Sequence, residues 1–158
     1  MHLFHATYSL FFPGQEIVPD ANCRYYPEVL DVLERDRPPD SLSRRLCVFA
    51  ADSVVAATTF LNSQHANCGG RVRVFEVTMP LCHRAPLRLI HEISRRIRAG
   101  QPVESLVAEY WMPRHEWVFW EFFGPAFQVM REVPAAELVD MAAFHIRYNK
   151  DFRLGESL

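Results

Sequence analysis

Residues 116–133 (EWVFWEFFGPAFQVMREV) constrain this chain more than any other stretch. Six of the eighteen are Trp or Phe, and only burial accommodates that much ring surface in one run. Gly124-Pro125 interrupts it, because proline cannot donate to a sheet ladder. The pattern predicts strands on either side of that break. Residues 105–111 (SLVAEYW) read as another strand, ended at Pro113. The aromatic cluster from Tyr110 to Phe127 makes either a thick core or the wall of a pocket. Glu121 stands inside it, between Trp120 and Phe122. Regular alternation places Trp117, Phe119 and Phe123 on its strand face. Glu121 then either faces solvent at a strand edge or is a paired or functional carboxylate, since an acid among aromatics is costly without a partner. Glu109 and Glu116 are the competing acids.

Earlier in the chain, HLFHAT at 2–7 reads as a short strand and 11–24 as turn and loop, through Pro13-Gly14 and Pro19-Asp20. Tyr26, Val29, Leu30 and Leu33 keep helical spacing behind Pro27, and Pro38-Pro39 ends that helix. LCVFAA at 46–51 is a buried strand, and Asp52 or Ser53 caps a helix over 54–62. Cys68-Gly69-Gly70 is a turn, and RVRVFEVTM at 71–79 is the clearest strand. Leu89, Ile90, Ile93 and Ile97 line one side of a helix, with Arg88, Glu92, Arg95 and Arg96 largely on the other. Leu138, Met141, His145, Tyr148 and Phe152 space a C-terminal helix. No linker divides residues 1–158, so one domain is expected. The order argues α+β rather than a doubly wound α/β fold.

Composition narrows the function classes. The net charge of −2 offers no basic surplus for neutralising phosphates, so nucleic-acid reading is disfavoured. Arg44-Arg45 and Arg95-Arg96-Arg98 read as solvated clusters, although Arg24, Arg44 or Arg45 is placed to reach a pyrophosphate. Cys23, Cys47, Cys68 and Cys82 form no C-x-x-C pair and read as free thiols of a reducing cytosol. The seven histidines form no H-E-x-x-H, so no metal is expected. No signal peptide or membrane-spanning run is legible. A cytoplasmic location follows, with secretion as an effector lacking a cleaved signal left open. The absence of G-x-G-x-x-G, G-x-x-x-x-G-K-[ST] and G-x-S-x-G argues against Rossmann, P-loop and α/β-hydrolase sites.

Three segments share one resemblance: His5-Ala6-Thr7, the pair Phe49-x10-Phe60, and Glu121 in Trp120-Glu121-Phe122-Phe123-Gly124-Pro125. Together they resemble the diphtheria-toxin and poly(ADP-ribose) polymerase branch of the ADP-ribosyltransferase superfamily. That branch carries His-Gly-Ser or His-Gly-Thr on its first strand, Y-x10-Y, and a Glu on a late strand. Small bacterial proteins related to the superfamily also carry a Tyr-Trp motif upstream of the Glu, as Tyr110-Trp111 does here. The departures are Ala6 for Gly and Phe at both Tyr positions.

The resemblance implies a split, mixed β-sheet core with flanking helices. It implies NAD as substrate and transfer of ADP-ribose to a macromolecule, with a protein as the expected acceptor. Glu121 is then the catalytic carboxylate that stabilises charge developing on the ribose. Phe49 and Phe60 sandwich the nicotinamide, His5 holds a ribose hydroxyl, and Thr7 with the backbone of Ala6 holds the carboxamide. Phe119 stands where arginine-modifying transferases place a second acid, so arginine acceptors are disfavoured. The alternatives are an inactive binding module on the same fold, NAD hydrolysis, and removal of an RNA phosphate.

Overall fold

Apolar and β-branched runs become strands, and apolar residues at helical spacing become helices, with the exceptions given below. The computed structural model describes residues 1–20, 26–64, 70–134 and 141–158. In chain order they form β1 (Leu3–Thr7), β2 (Glu16–Ile17), α1 (Pro27–Arg35), a 3-10 turn (Arg44–Leu46), β3 (Val48–Ala51), α2 (Val54–Gln64), β4 (Arg73–Thr78), β5 (His83–Pro86), α3 (Leu87–Arg98), α4 (Glu104–Trp111), β6 (Trp120–Gly124), β7 (Phe127–Glu132) and α5 (Met141–Ser157). The class is α+β. Cys23, Arg24, His65, Cys68, Gly69 and Leu138 lie outside the described residues, and so do the readings made on them. No described helix is long and apolar enough to cross a membrane.

The described strands form one sheet in the order β2-β7-β4-β1-β3-β6-β5. Each of the pairings is antiparallel, which corrects the expected mixed sheet. The reason lies in β1. The β3–α2–β4 segment has the form of a crossover between parallel strands. β1 sits between β3 and β4 and pairs antiparallel with both, so the two parallel strands never touch.

The helices share one face of the sheet. Ala6, Ala51 and Val74 pack with Ala56, Ala57 and Leu61 of α2. Ala85 and Phe123 pack with Leu33 of α1, Leu89, Ile90 and Ile93 of α3, and Leu106, Val107 and Tyr110 of α4. The opposite face gathers Leu3, Val48, Ala50, Phe75, Val77, Phe122, Phe127 and Val129, with Phe11 and Ile17 against it.

Residues 105–111 are helical rather than extended. Val103, Leu106, Val107 and Tyr110 recur at helical spacing and are buried, so tertiary packing overrides the strand preference of Val, Tyr and Trp. Two strands escaped the sequence reading: the two-residue β2, inside the stretch read as loop, and β5, which ends at Pro86 on the sheet edge. Trp117 and Phe119 precede β6 instead of alternating within it. Glu92 is buried, not solvated, and is held by Arg95 at 2.6 Å and Arg96 at 3.2 Å.

Candidate functional site

Register brings distant residues into one row. Phe4 lies opposite Ala51, Ala51 opposite Glu121, and Glu121 opposite Ala85. Opposed residues share a face, so Glu121 points to the helix-covered side rather than to solvent. Phe49 and Phe123, two positions along, share that side.

The sheet is weakest between β1 and β3. Among the described residues they share one paired position, whereas β1 and β4 share five. His5 spans the parting: its Nδ1 lies 2.7 Å from the Phe49 carbonyl oxygen. A carbonyl only accepts, so Nδ1–H donates and Nε2 carries the lone pair. Burial lowers the His5 pKa, and the bond to Phe49 opposes this only in part, so the ring is neutral at pH 7. The ring packs on Phe127 and Phe11, with centroids 4.8 and 6.0 Å away.

A cavity of about 30 Å³ lies at this parting, under α2. His5, Ala6, Phe49, Phe60 and Glu121 all line it, together with Phe4, Ala57 and Leu61. Three segments distant in sequence thus meet at one space, which holds a water-sized group. Thr7 stands outside this lining, and its hydroxyl accepts from the Ser9 amide at 3.1 Å.

Glu121 is 1% exposed. Its Oε1 accepts from Arg44 Nη1 and from the Tyr110 hydroxyl, and Arg44 Nη1 also donates to the Tyr110 oxygen. Its Oε2 is buried and has no hydrogen-bond partner among the described residues. Arg44 is 5% exposed, which corrects its reading as half of a solvated pair. Its guanidinium carbon sits 4.4 Å from the Phe49 ring centroid, 5.4 Å from Tyr110 and 5.6 Å from Phe123. Burial alone would lower the Arg44 pKa; Glu121 and Tyr110 more than offset this, so it is raised and the guanidinium stays charged. Burial raises the Tyr110 pKa well above the ordinary value and Arg44 opposes it only in part, so the hydroxyl keeps its proton and donates. The 3-10 turn that carries Arg44 is pinned to α1: Glu34 accepts the Arg44 amide at 2.6 Å and the Ser43 hydroxyl at 3.0 Å.

The competing acids have other work. Glu109 Oε1 accepts the amides of Arg114 and His115 at 3.0 Å each and the indole N–H of Trp117 at 2.9 Å, which fastens α4 to the chain leading into β6. Glu116 is exposed. Arg45 pairs with Asp31 at the surface, 2.5 Å away. Burial pushes the Cys47 thiol up to about 11, so it is no nucleophile at neutral pH. Among the described residues no three His, Cys, Asp or Glu side chains gather as a metal site would require. Sequence reasoning missed Arg44 and Tyr110 as partners of Glu121. The Tyr110-Trp111 motif was the one available signal for Tyr110.

Comparison with protein-family models, with curated proteins and with solved structures gave no match to the chain.

Proposed function

We propose that this cavity is the reacting end of an NAD site, from which ADP-ribose passes to a macromolecular acceptor, a protein. One observation carries the reading. His5, Ala6, Phe49, Phe60 and Glu121 line a single cavity at the parting of the sheet, and Glu121 keeps one buried carboxylate oxygen without a hydrogen-bond partner among the described residues. The same parting supports a split-sheet, ADP-ribosyltransferase-like core.

The donor set suits the ribosyl–nicotinamide end of NAD. Glu121 Oε2 would accept a hydroxyl of the ribose, which fixes the sugar and sets negative charge beside its reacting carbon. Phe49 and Phe60 offer faces for a planar ring, while the His5 ring, packed on Phe127 and Phe11 across the sheet, borders the cavity and ties its wall through the bond to the Phe49 carbonyl. When bound, NAD supplies an activated glycosidic bond whose electron pair leaves with nicotinamide. An acceptor nucleophile then bonds the ribose carbon and releases a proton. The cavity admits a water-sized group as it stands. Entry of a ring therefore requires the lining to open.

A second reading, a binding module without catalysis, is favoured by the Arg44–Glu121 pair itself. A neutralised carboxylate stabilises a developing cation less than a bare one. Incubating the purified protein with NAD, while following nicotinamide release and ADP-ribose mass on added proteins, separates these readings. The expected result is release with protein labelling, reduced on the order of 100-fold or more in Glu121→Gln. Equal release by both forms would remove Glu121 from the chemistry. Release without labelling would mean hydrolysis. NAD binding in calorimetry without release would mean the inactive module.

A further inference from the structure

We infer that Arg44 and Tyr110 are positioning residues that aim Glu121 Oε2 into the cavity; this rests on the proposed NAD reading for its catalytic consequence, though not for its geometry. Glu121 has two carboxylate oxygens in a buried setting. Oε1 is engaged by two donors on different elements, the 3-10 turn and α4. That leaves Oε2 as the oxygen for a ligand, and among the described residues it has no hydrogen-bond partner.

Each member of the triad constrains the next. Arg44 bridges Glu121 Oε1 and the Tyr110 hydroxyl through one nitrogen, so neither partner turns without breaking two contacts. The faces of Phe49, Tyr110 and Phe123 hold the guanidinium by cation–π attraction, which is strongest where water is excluded. Phe49 lines the cavity and also faces Arg44. The ring expected to face a planar ligand is thus the ring that seats the cation fixing the carboxylate. Glu34 holds the turn from behind, so α1 belongs to the same scaffold. Groups that must hold a reacting geometry are commonly locked by such supporting contacts.

The alternative role for Arg44 is a plug. Its guanidinium lies over one of the rings assigned to the nicotinamide and shares the carboxylate. The two roles give opposite results on removal of the contacts, which makes the inference testable. Tyr110→Phe deletes one hydroxyl and keeps the ring. Arg44→Ala deletes the cation, and free guanidinium ion offers chemical rescue. Two readouts are needed. The first is the ¹³C resonance of the Glu121 carboxyl carbon in [δ-¹³C]Glu-labelled protein, assigned by its absence in Glu121→Gln, with circular dichroism to confirm the fold. The second is nicotinamide release from NAD, resolved into kcat and KM.

The expected result is a displaced carboxyl resonance in folded Tyr110→Phe, with kcat lowered on the order of tenfold and KM for NAD little changed. Guanidinium ion at tens of millimolar should restore part of the activity of Arg44→Ala. An unmoved resonance in Tyr110→Phe overturns the inference, and so does turnover equal to or faster than wild type in either variant; the faster case identifies the plug. If the wild type releases no nicotinamide, the NAD reading falls. The resonance alone then decides whether the triad positions Glu121.

Discussion

Removing the Arg44 side chain alone leaves Glu121 as a buried charge without its counter-ion, with Tyr110 as its remaining donor. Breaking a buried pair from one side typically costs about 3–5 kcal/mol, because the desolvated charge stays behind. Arg44→Ala should therefore lose about that much in urea unfolding, whereas Arg44→Met combined with Glu121→Leu should recover most of it. A double variant as unstable as the single one would show that packing against Phe49 and Phe123, and not the charge, holds Arg44 in place. The two members of this pair were unequally legible in the sequence. An acid flanked by Trp120 and Phe122 stands out because its neighbours must be buried. Arg44 beside Arg45 looks like any solvated cluster, and only one of them is buried. What separates them is a partner 77 residues away, and no local pattern carries that information.

At the scale of elements, the last residue of β6 shows how one position sets an approach distance. A Cβ on Gly124 would stand 2.1 Å from the Leu81 carbonyl oxygen and 3.0 Å from Met79 Sδ. The sulfur can yield, but the backbone oxygen cannot, so the strand itself would have to shift. Overpacking of this kind typically costs about 1–3 kcal/mol. Gly124→Ala should lower stability by at least that amount, read as a fall in the urea midpoint with an unchanged slope. A neutral Gly124→Ala would mean that the segment bearing Leu81 moves freely. Much of the element order was readable because β4, α1 and α3 carry strong periodicity. The error at α4 has a physical cause. In eight residues, two turns of helix and a short buried strand present the same density of apolar side chains, and tertiary contact with α3 decides between them. β5 was hidden for a different reason. Its HRAP sequence has no apolar alternation, and it owes its form to pairing with β6.

At the scale of the molecule, the insertion of β1 between β3 and β4 creates both the parting and the cavity. Nothing in β1 itself announces where it inserts, so His5, Ala6, Phe49, Phe60 and Glu121 could be singled out one by one as candidates, while the space they line could not, and Thr7 falls outside it. The charge balance of the folded state is likewise a property of the whole. Glu92 and Glu109 are buried, which alone would raise their pKa values. Arg95, Arg96 and Arg88 around Glu92 more than offset this, as do the N–H donors of Trp117, His115 and Arg114 around Glu109, and both values fall below the ordinary 4.5. Their stabilisation is fully present above that value and is lost as pH falls through the folded ones. Asp52 runs the other way. Burial outweighs the bond from the Trp120 amide and raises it from 3.8 to about 6, beside Arg147, which opposes the shift, and Asp151, which adds to it. Between about pH 4 and pH 6 folded Asp52 keeps a proton that the unfolded chain has released, so this group's contribution to stability declines as pH rises through that window. Asp52→Asn keeps a side-chain oxygen for the Trp120 amide, which lies 3.3 Å from Asp52 Oδ2, and removes the ionisation. Because Asp52 is only partly buried, solvent screening reduces the effect to on the order of 1 kcal/mol. The variant should match wild type in urea unfolding at pH 4 and exceed it by that margin at pH 7. An advantage of equal size at both values would trace the gain to packing and would take Asp52 out of the pH dependence.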